Sequence, residues 1–240
     1  MTFSIIVPTF NEERIIANTL GAIRHHLSHI DYELIVTDDG SSDRTCEIAE
    51  RYADRVVRLT GNKGTIGANR NRGARVARGD YLVFVDADMS IPRANDSFAA
   101  IAEDFKNDPR LVGMTVKIRF APGEERLIDA IMHGILSRVF WFMNSVLRRG
   151  TASGEFQAIR RDVFETLHGY CESLPAGEDN DLFLRLSRIG RTRIDLKLTA
   201  YTDNRRIKQL GWPRLLKLWL VNYCSVACLH RSQVTEWPPR

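Results

Sequence analysis

Short apolar runs alternate with segments of helical periodicity along the first third of the chain. Each run is rich in β-branched residues and ends at a turn signal, which is typical of buried strands. The predicted strands are Phe3–Val7, Glu33–Thr37, Arg55–Leu59 and Tyr81–Val85. Because a helical segment separates each strand from the next, we expect right-handed crossovers and a mostly parallel sheet.

Polar turn residues precede the helices of this first part. Asn11 is a typical N-cap residue, and the helix that it opens is predicted to end near Leu27. The turn Asp38–Asp43 leads into the second helix. The third helix opens within the segment Gly61–Gly73, whose glycines let the backbone approach a ligand and whose arginines can meet phosphate.

The strand Tyr81–Val85 ends abruptly in two carboxylates, Asp86 and Asp88. Because side chains alternate along a strand, we expect both side chains to point the same way at the carboxyl end of a central strand, where open α/β sheets bind ligands. Adjacent carboxylates repel each other unless a cation lies between them, and a divalent ion that also binds phosphate is the natural occupant. The alternative is a solvated turn after a strand. The pair therefore predicts a phosphate-bearing substrate held through a metal ion.

A long helix is predicted from Arg126 to Arg149. Its apolar residues recur at helical spacing and form one wide stripe: Leu127, Ile131, Ile135, Val139, Phe142 and Val146. Asp129, His133 and Arg138 interrupt the pattern, so crossing a bilayer would be costly. The helix is predicted either to pack on the domain or to lie at a membrane interface, and the sequence leaves both open.

The other elements of the second half are less regular. They are predicted as a helix at Pro92–Phe105, a strand at Leu111–Phe120, a short strand within Gly150–Arg161, a helix at Leu182–Ile189 and an apolar tail at Leu215–Leu229. An acidic cluster of Glu178, Asp179 and Asp181 directly precedes the helix at Leu182. Acidic residues are favoured at helix starts, which offers a purely structural alternative to a catalytic role.

Composition and charge narrow the class of protein. The chain has 240 residues with 44% hydrophobic content, which is ordinary for a globular protein, and a net charge of +4 with a pI of about 9.0. This charge is too mild to indicate nucleic-acid binding, and it suits phosphorylated ligands or an anionic membrane surface.

Cysteine usage and hydropathy indicate the compartment. The four cysteines form no C-x-x-C pair, which favours free thiols in a reducing environment. No apolar run reaches the roughly 18 residues that a membrane span needs, and we expect no signal peptide. The expected location is cytoplasmic, either in solution or at the membrane surface.

Six short motifs occur in the order and spacing of a known family. They are Val7-Pro8-Thr9-Phe10-Asn11-Glu12, Asp38-Asp39-Gly40-Ser41-Ser42-Asp43, the group of Asn62, Gly64, Arg70, Asn71 and Gly73, Asp86-Ala87-Asp88, Gly177-Glu178-Asp179 with Asp181, and Arg205-Arg206 before Gly211-Trp212. Together they resemble the family-two inverting glycosyltransferases over nearly the whole chain. Two positions depart from the family's pattern, since Asn69 stands where alanine is commoner and Met89 replaces a third acidic residue. The Gln-x-x-Arg-Trp motif of processive members is absent, which indicates a non-processive enzyme.

The resemblance implies the fold and the domain boundaries. The expected fold is α/β, a single GT-A-like (Rossmann-like) domain with a mostly parallel central sheet flanked by helices, plus a C-terminal helical extension. The domain is expected at residues 1–206, with a nucleotide-sugar-binding half at 1–120 and an acceptor half at 121–206. The helical extension is expected at 207–240.

The resemblance also implies roles for individual residues. Those implied to bind the nucleotide sugar are Pro8, Thr9, Phe10, Glu12, Asp39, Gly64, Arg70, Asp86, Arg205 and Arg206. Asp88 is implied to hold Mg²⁺ or Mn²⁺, and Asp86 to contact the ribose or share the metal. Glu178 and Asp181 are implied to lie on the acceptor side, and Asp179 is the expected catalytic base.

The chemistry that these roles imply suits the residue types. Negative charge grows on the diphosphate as it leaves the sugar, and a divalent ion with nearby arginines stabilises that charge. A carboxylate on the opposite side of the sugar must take the acceptor's proton, and such a single displacement inverts the anomeric carbon. The expected partners are a nucleotide-diphosphate sugar donor and an acceptor hydroxyl or phosphate. A lipid-linked acceptor, peripheral membrane contact and a homodimer stay open, and nucleic acid is not expected.

Two other functions fit part of the pattern. A sugar-phosphate nucleotidyltransferase shares the fold type and the carboxylate-held metal, but it normally has a glycine-rich loop where this chain has Pro8–Glu12. A non-catalytic membrane-surface scaffold of the same fold would use the helix Arg126–Arg149 and the basic tail. Such a scaffold would not need the complete set of acidic residues in these motifs.

Overall fold

A seven-stranded sheet forms the framework of the protein, whose computed structural model describes residues 1–59, 64–229 and 231–232. The strands are β1 (Phe3–Thr9), β2 (Tyr32–Asp38), β3 (Arg55–Arg58), β4 (Tyr81–Val85), β5 (Leu111–Phe120), β6 (Phe156–Arg160) and β7 (Arg191–Thr202). Their order in the sheet is β3-β2-β1-β4-β6-β5-β7. Among these described strands, β6 alone is antiparallel to its neighbours. The predicted mostly parallel sheet flanked by helices is confirmed.

Helices cover both faces of the sheet. They are α1 (Ile16–His26), α2 (Thr45–Ala49), α3 (Ile66–Val76), α4 (Ala94–Asn107), α5 (Leu127–Ser145), α6 (Arg161–Thr166), α7 (Glu178–Ile189) and α8 (Arg205–Leu229). The C-terminal helix α8 is bent at Gly211, whose φ of 71° is non-helical, and Pro213 follows the bend. None of the helices in the described ranges combines the length and the apolarity needed to cross a membrane.

Successive residues of the central strands point into two separate cores. On β1, Ile5 and Val7 pack in the core that includes α1 and α4, whereas Ile6 packs in the core that includes α3, α6 and α7. All three side chains are fully buried. A strand that is buried on both faces has no polar positions to alternate with, which explains the continuous apolar runs of the sequence.

Helix α3 lies unusually close to the sheet. A Cβ atom at Gly73 would lie 2.4 Å from Cγ2 of Ile6 and 2.8 Å from Cγ2 of Thr37, so only glycine fits at this crossing. The close approach brings the polar side chains of α3 to the ends of the strands.

Strand β7 is the main element that the sequence pattern does not predict. It lies at the edge of the sheet, pairs with β5 among the described strands, and forms one isolated antiparallel bridge from Tyr201 to Ser90. Its pairing shifts register between Val116 and Lys117, where the partner residue jumps from Asp195 to Thr199. An edge strand is half-exposed, and β7 is also irregular. Its charged residues therefore obscure the alternation of apolar and polar residues by which a strand is recognised in a sequence.

The N-cap predicted at Asn11 is wrong. Helix α1 begins at Ile16, and Asn11 has a left-handed backbone with a φ of 56°. Its side-chain Oδ1 accepts a hydrogen bond from the backbone N of Ser42 at 2.9 Å. Asn11 therefore joins the loop after β1 to the loop after β2, a use that suits the local hydrogen bonding of asparagine.

The acidic cluster lies inside α7 rather than before it. The helix begins at Glu178, one turn earlier than the predicted start at Leu182. Its N-cap, Gly177, has a φ of 83°, and a Cβ atom there would lie 2.6 Å from Nδ2 of Asn222. Glycine is thus needed both for the backbone conformation and for the close contact with α8.

Candidate functional site

Polar residues gather where the parallel strands β1, β2 and β4 end. Thr9 closes β1, and its hydroxyl lies 3.2 Å from Oδ1 of Asp38 at the end of β2. Oδ2 of Asp38 accepts hydrogen bonds from the backbone N of Gly40 at 3.0 Å and of Ser41 at 2.8 Å. Asp38 therefore shapes the loop after β2, and Pro8 and Thr9 are buried beside it.

Asp39 connects this edge to α3. Its Oδ1 accepts a hydrogen bond from Nη2 of Arg72 at 2.5 Å and another from the backbone N of Gly64 at 3.3 Å. Gly64 follows the residues Gly61, Asn62 and Lys63, which lie outside the described part of the chain. The motifs give Arg72 no individual role, although it belongs to the segment Gly61–Gly73, whose arginines are expected to meet phosphate.

The loop after β1 carries two of the predicted donor-binding residues. Phe10 is 40% exposed, so its ring is accessible for stacking on a ligand. The backbone N of Glu12 donates a hydrogen bond to the hydroxyl of Thr45 at 2.7 Å. The loop is thus held in place by α2, and its aromatic ring faces the solvent.

Arg70 is the centre of a buried ion-paired cluster. Its side chain is 2% exposed, and its guanidinium donates hydrogen bonds to Glu178 at 2.7 Å and to Asp86 at 3.0 Å. A third bond reaches the backbone O of Gly154 at 2.7 Å. The cluster ties α3, the end of β4, the first turn of α7 and the loop before β6 into one unit. Arg70 therefore holds two of the predicted acidic residues in place.

Asp179 lies against this cluster. A Cβ atom at Gly154 would lie 3.1 Å from Oδ2 of Asp179 and 3.6 Å from Nη2 of Arg70, so the absence of a side chain there opens room beside the carboxylate. Oδ1 accepts a hydrogen bond from the backbone N of Asn180 at 2.7 Å. Burial, followed by the negative charge of Glu178, raises the pKa of Asp179 from 3.8 to about 8. Such a carboxylate can exchange protons near neutral pH.

Asp86 and Asp88 have different surroundings. Strand β4 ends at Val85, so strand alternation does not set their directions. Asp86 is 2% exposed and accepts from Arg70, whereas Asp88 is partly buried and accepts from the hydroxyl of Thr202 at 3.4 Å. The contact with Thr202 brings the end of β7 to the site.

The predicted arginines follow directly from that strand. Arg205 and Arg206 open α8, three and four residues after Thr202. Nε of Arg205 donates a hydrogen bond to the carboxylate of Asp203. Since Thr202 contacts Asp88, the fold brings both arginines towards the edge of the sheet that carries the carboxylates.

The donor set at Asp88 suits a metal that is shared with substrate. Within the described residues, no group of three or more His, Cys, Asp or Glu side chains could hold a metal ion. Mg²⁺ and Mn²⁺ at nucleotide sites take one or two carboxylates and complete their shell with phosphate oxygens and water. Asp88 is a partly buried carboxylate just after the end of β4, and it fits that pattern.

Asp181 belongs to a separate contact. Its carboxylate pairs with Arg185 one turn later in α7, at 2.7 Å. Arg185 also donates to the backbone O atoms of Leu167 at 2.9 Å and Gly169 at 2.8 Å. Asp181 therefore anchors the segment after α6, and its acceptor-side role stays a prediction.

Glu155 is a further residue of the site, which the sequence did not indicate. Its backbone O accepts a hydrogen bond from the backbone N of Asp86 at 3.1 Å, and its charge contributes to raising the pKa of Asp179. Glu155 follows a loop of small residues, and no motif singles it out. Only the antiparallel pairing of β6 with β4 brings it to the site.

Comparison with known families gives a match over most of the chain. Residues 4–167 match the family model described as Glycosyl transferase family 2. A curated relative, the poly(ribitol-phosphate) beta-N-acetylglucosaminyltransferase TarS of Staphylococcus aureus, is 33% identical over 48% of this chain and 21% of its own length. The dolichol-phosphate mannosyltransferase of Pyrococcus furiosus is 38% identical over 38% of this chain and 27% of its own length. The matches thus span about a quarter or less of these relatives.

Solved structures share the fold. The mannosyltransferase PcManGT from Pyrobaculum calidifontis, in complex with GDP-Man and Mn²⁺, aligns with a TM-score of 0.73 at 21% identity, over 94% of this chain and 63% of its own. TarS residues 1–349 from S. aureus, in complex with UDP-GlcNAc, align with a TM-score of 0.67 at 23% identity, over 85% and 59%. At these identities the likeness concerns the fold.

Proposed function

The chain belongs to glycosyl transferase family 2, and we propose that it transfers a sugar from a nucleotide-diphosphate donor to an acceptor hydroxyl or phosphate. The observation that carries the proposal is the position of Asp179 against the buried Arg70 cluster, with its pKa raised to about 8. A carboxylate poised in this way can take the acceptor's proton near physiological pH.

The proposed donor site lies along the edge formed by β1, β2 and β4. The loops after β1 and β2 would hold the nucleoside through Phe10 and Asp39, and Asp86 lies deeper at the end of β4. Arg205 and Arg206 would meet the diphosphate from the start of α8. PcManGT supports this assignment, since its complex contains the nucleotide sugar GDP-Man.

Asp88 is proposed to hold a divalent ion, Mg²⁺ or Mn²⁺, when the donor binds. The ion would supply positive charge to the diphosphate oxygens, where negative charge develops as the sugar leaves. A single carboxylate suffices because the phosphates provide the other ligands. The Mn²⁺ in the PcManGT complex supports a metal of this class.

The acceptor is proposed to approach from the side of α7. Asp179 takes the proton from the acceptor oxygen as that oxygen forms its bond to the anomeric carbon, and the bond from this carbon to the diphosphate oxygen breaks. One displacement of this kind inverts the configuration. Glu178 is held by Arg70 and keeps the first turn of α7 in place.

The test is product analysis with a panel of labelled nucleotide sugars, with and without Mn²⁺. We expect nucleoside diphosphate release that depends on the metal and on an acceptor. Pyrophosphate formed from a sugar phosphate and a nucleoside triphosphate would instead indicate the nucleotidyltransferase. Neither product with any donor of the panel would contradict catalysis and favour the scaffold.

A further inference from the structure

Helix α5 is packed with its polar side inward. Its predicted apolar stripe is exposed to solvent: Leu127 79%, Ile131 48%, Ile135 48%, Val139 47%, Phe142 47% and Val146 52%. The residues that it buries are instead Asp129, His133, Ser137 and Asn144. Packing of the stripe on the domain, one of the two arrangements that the sequence left open, is therefore wrong.

The buried polar residues fix this orientation. Oδ1 of Asp129 accepts a hydrogen bond from Nε1 of Trp212 at 2.7 Å, and Nδ1 of His133 lies 3.0 Å from Oε1 of Glu125. Nδ2 of Asn144 donates to the backbone O of Thr151 at 2.8 Å. Turning the stripe inward would break all of these contacts. Their partners would remain inside the protein without hydrogen bonds, which costs free energy. The apolar face is thus a stable feature of the surface.

Charge distinguishes this face from an ordinary protein contact. Between Leu127 and Arg149 the only carboxylate is Asp129, which is 1% exposed. Arg138, Arg148 and Arg149 are exposed, so the accessible charge of the segment is entirely positive. Trp141, an amphipathic side chain typical of membrane interfaces, is 44% exposed on the same helix.

We propose that α5 lies on an anionic lipid bilayer, with its apolar stripe among the acyl chains and its arginines at the headgroups. Apolar burial and attraction to anionic lipid act together in helices of this kind. A second copy of the chain fits less well. Arg138 lies about 3 Å along the axis from the middle of α5, so a twofold contact centred on the stripe would bring it close to its own symmetry mate.

The same helix is connected to the proposed catalytic base. Asn144 bonds to Thr151, whose hydroxyl donates to Oδ1 of Asn180 at 2.6 Å, and Asn180 donates to Asp179. If the proposed transfer is correct, on which this step rests, the bilayer would present an amphipathic acceptor close to the side of α7. The proposed binding of α5 to the membrane does not depend on that activity.

The test is co-sedimentation of the full chain with vesicles of phosphatidylglycerol and phosphatidylcholine, against vesicles of phosphatidylcholine alone. We expect binding to the anionic vesicles at low salt, with a blue shift of tryptophan fluorescence that Trp141→Phe removes. Arg148→Gln with Arg149→Gln should weaken the partitioning about thirtyfold, from about fivefold for each arginine. The double variant Ile135→Glu, Val139→Glu should abolish it.

Ile189→Glu is the matched control, because Ile189 is an apolar residue that is 54% exposed at the end of a different helix, α7. It should bind vesicles as the wild type does, and all variants should melt at similar temperatures. Absence of wild-type binding, or unchanged binding of the Ile135→Glu, Val139→Glu protein, would overturn the proposal. A dimer in light scattering that this variant dissociates, without vesicle binding, would overturn it in favour of a second copy. Nucleoside diphosphate release is measured separately, so failure of the transfer reaction is distinguishable from failure of membrane binding.

Discussion

Replacing Asp179 with asparagine should separate catalysis from stability. The amide preserves the shape of the side chain but cannot take the acceptor's proton. We expect the donor to bind with unchanged affinity, and transfer to fall by about a hundredfold to ten-thousandfold. For the wild type, kcat/KM should rise with pH and level off above about 8, the pKa of Asp179 in the folded protein.

The same substitution should stabilise the fold at alkaline pH. The pKa of Asp179 is raised from 3.8 to about 8, so between these values the unfolded chain carries the ionised group and the folded chain the neutral one. Folding then takes up a proton, and this group's contribution to stability falls as pH rises, by at most about 1.4 kcal/mol per pH unit. Above pH 8 the loss is complete and amounts to at most about 6 kcal/mol.

The assay is urea denaturation of the two proteins at pH 5.0 and pH 8.5. Relative to the wild type, the free energy of unfolding of the Asp179→Asn protein should increase by a few kcal/mol from pH 5.0 to pH 8.5. Asp162→Asn is the control, since Asp162 is an exposed residue in the first turn of α6 and should show no such gain. Full transfer activity in the folded Asp179→Asn protein would refute the assignment of the base. A stability difference that does not change with pH would refute the raised pKa.

Three further outcomes test the rest of the site. Asp88→Ala should abolish the Mn²⁺-dependent part of nucleotide affinity in titration calorimetry while melting stays within about 1 °C, because the residue is only partly buried; unchanged metal dependence would contradict its role. Arg70→Met removes the guanidinium that pairs with two buried carboxylates and should cost about 3–5 kcal/mol in urea denaturation, whereas Arg75→Met removes an exposed pair and should cost at most about 1 kcal/mol; equal costs would refute the cluster. Hydrogen bonds from Arg126 and Trp212 hold the pKa of Asp129 well below its usual range, so Asp129→Asn should lose on the order of 2 kcal/mol at pH 7, and the deficit should shrink as pH falls below about 4; a constant deficit would contradict this pairing.

The local pattern of apolar and polar residues was sufficient to predict most strands of the sheet. The strand at Leu111–Phe120 has the bounds that its apolar run predicts, and the buried runs of β1 and β4 were recognisable for the same reason. A strand covered on both faces has to be apolar along its length, so burial leaves a direct trace in the sequence. The edge strand β7 leaves no such trace, because only three of its twelve residues are buried.

The sequence motifs also contain charged residues that the structure brings together, but they do not indicate how these residues are paired. The resemblance implies that Arg70 binds the donor, and the fold surrounds it with Asp86, 16 residues away, and Glu178, 108 residues away. Its guanidinium is buried among them, and whether it also meets the donor stays a prediction. Partners so far apart are chosen by the packing of α3 and α7 on the sheet, which no local spacing encodes.

Helix α5 shows most clearly what the sequence determines and what only the tertiary structure decides. The spacing of its apolar residues determined that it is a helix with one apolar face. Only the tertiary structure decided which face is buried, because the inward side is selected by hydrogen bonds to distant partners such as Trp212, 83 residues beyond Asp129. Periodicity records that a helix has two different sides, and the free energy of the contacts on each side determines which one meets the protein.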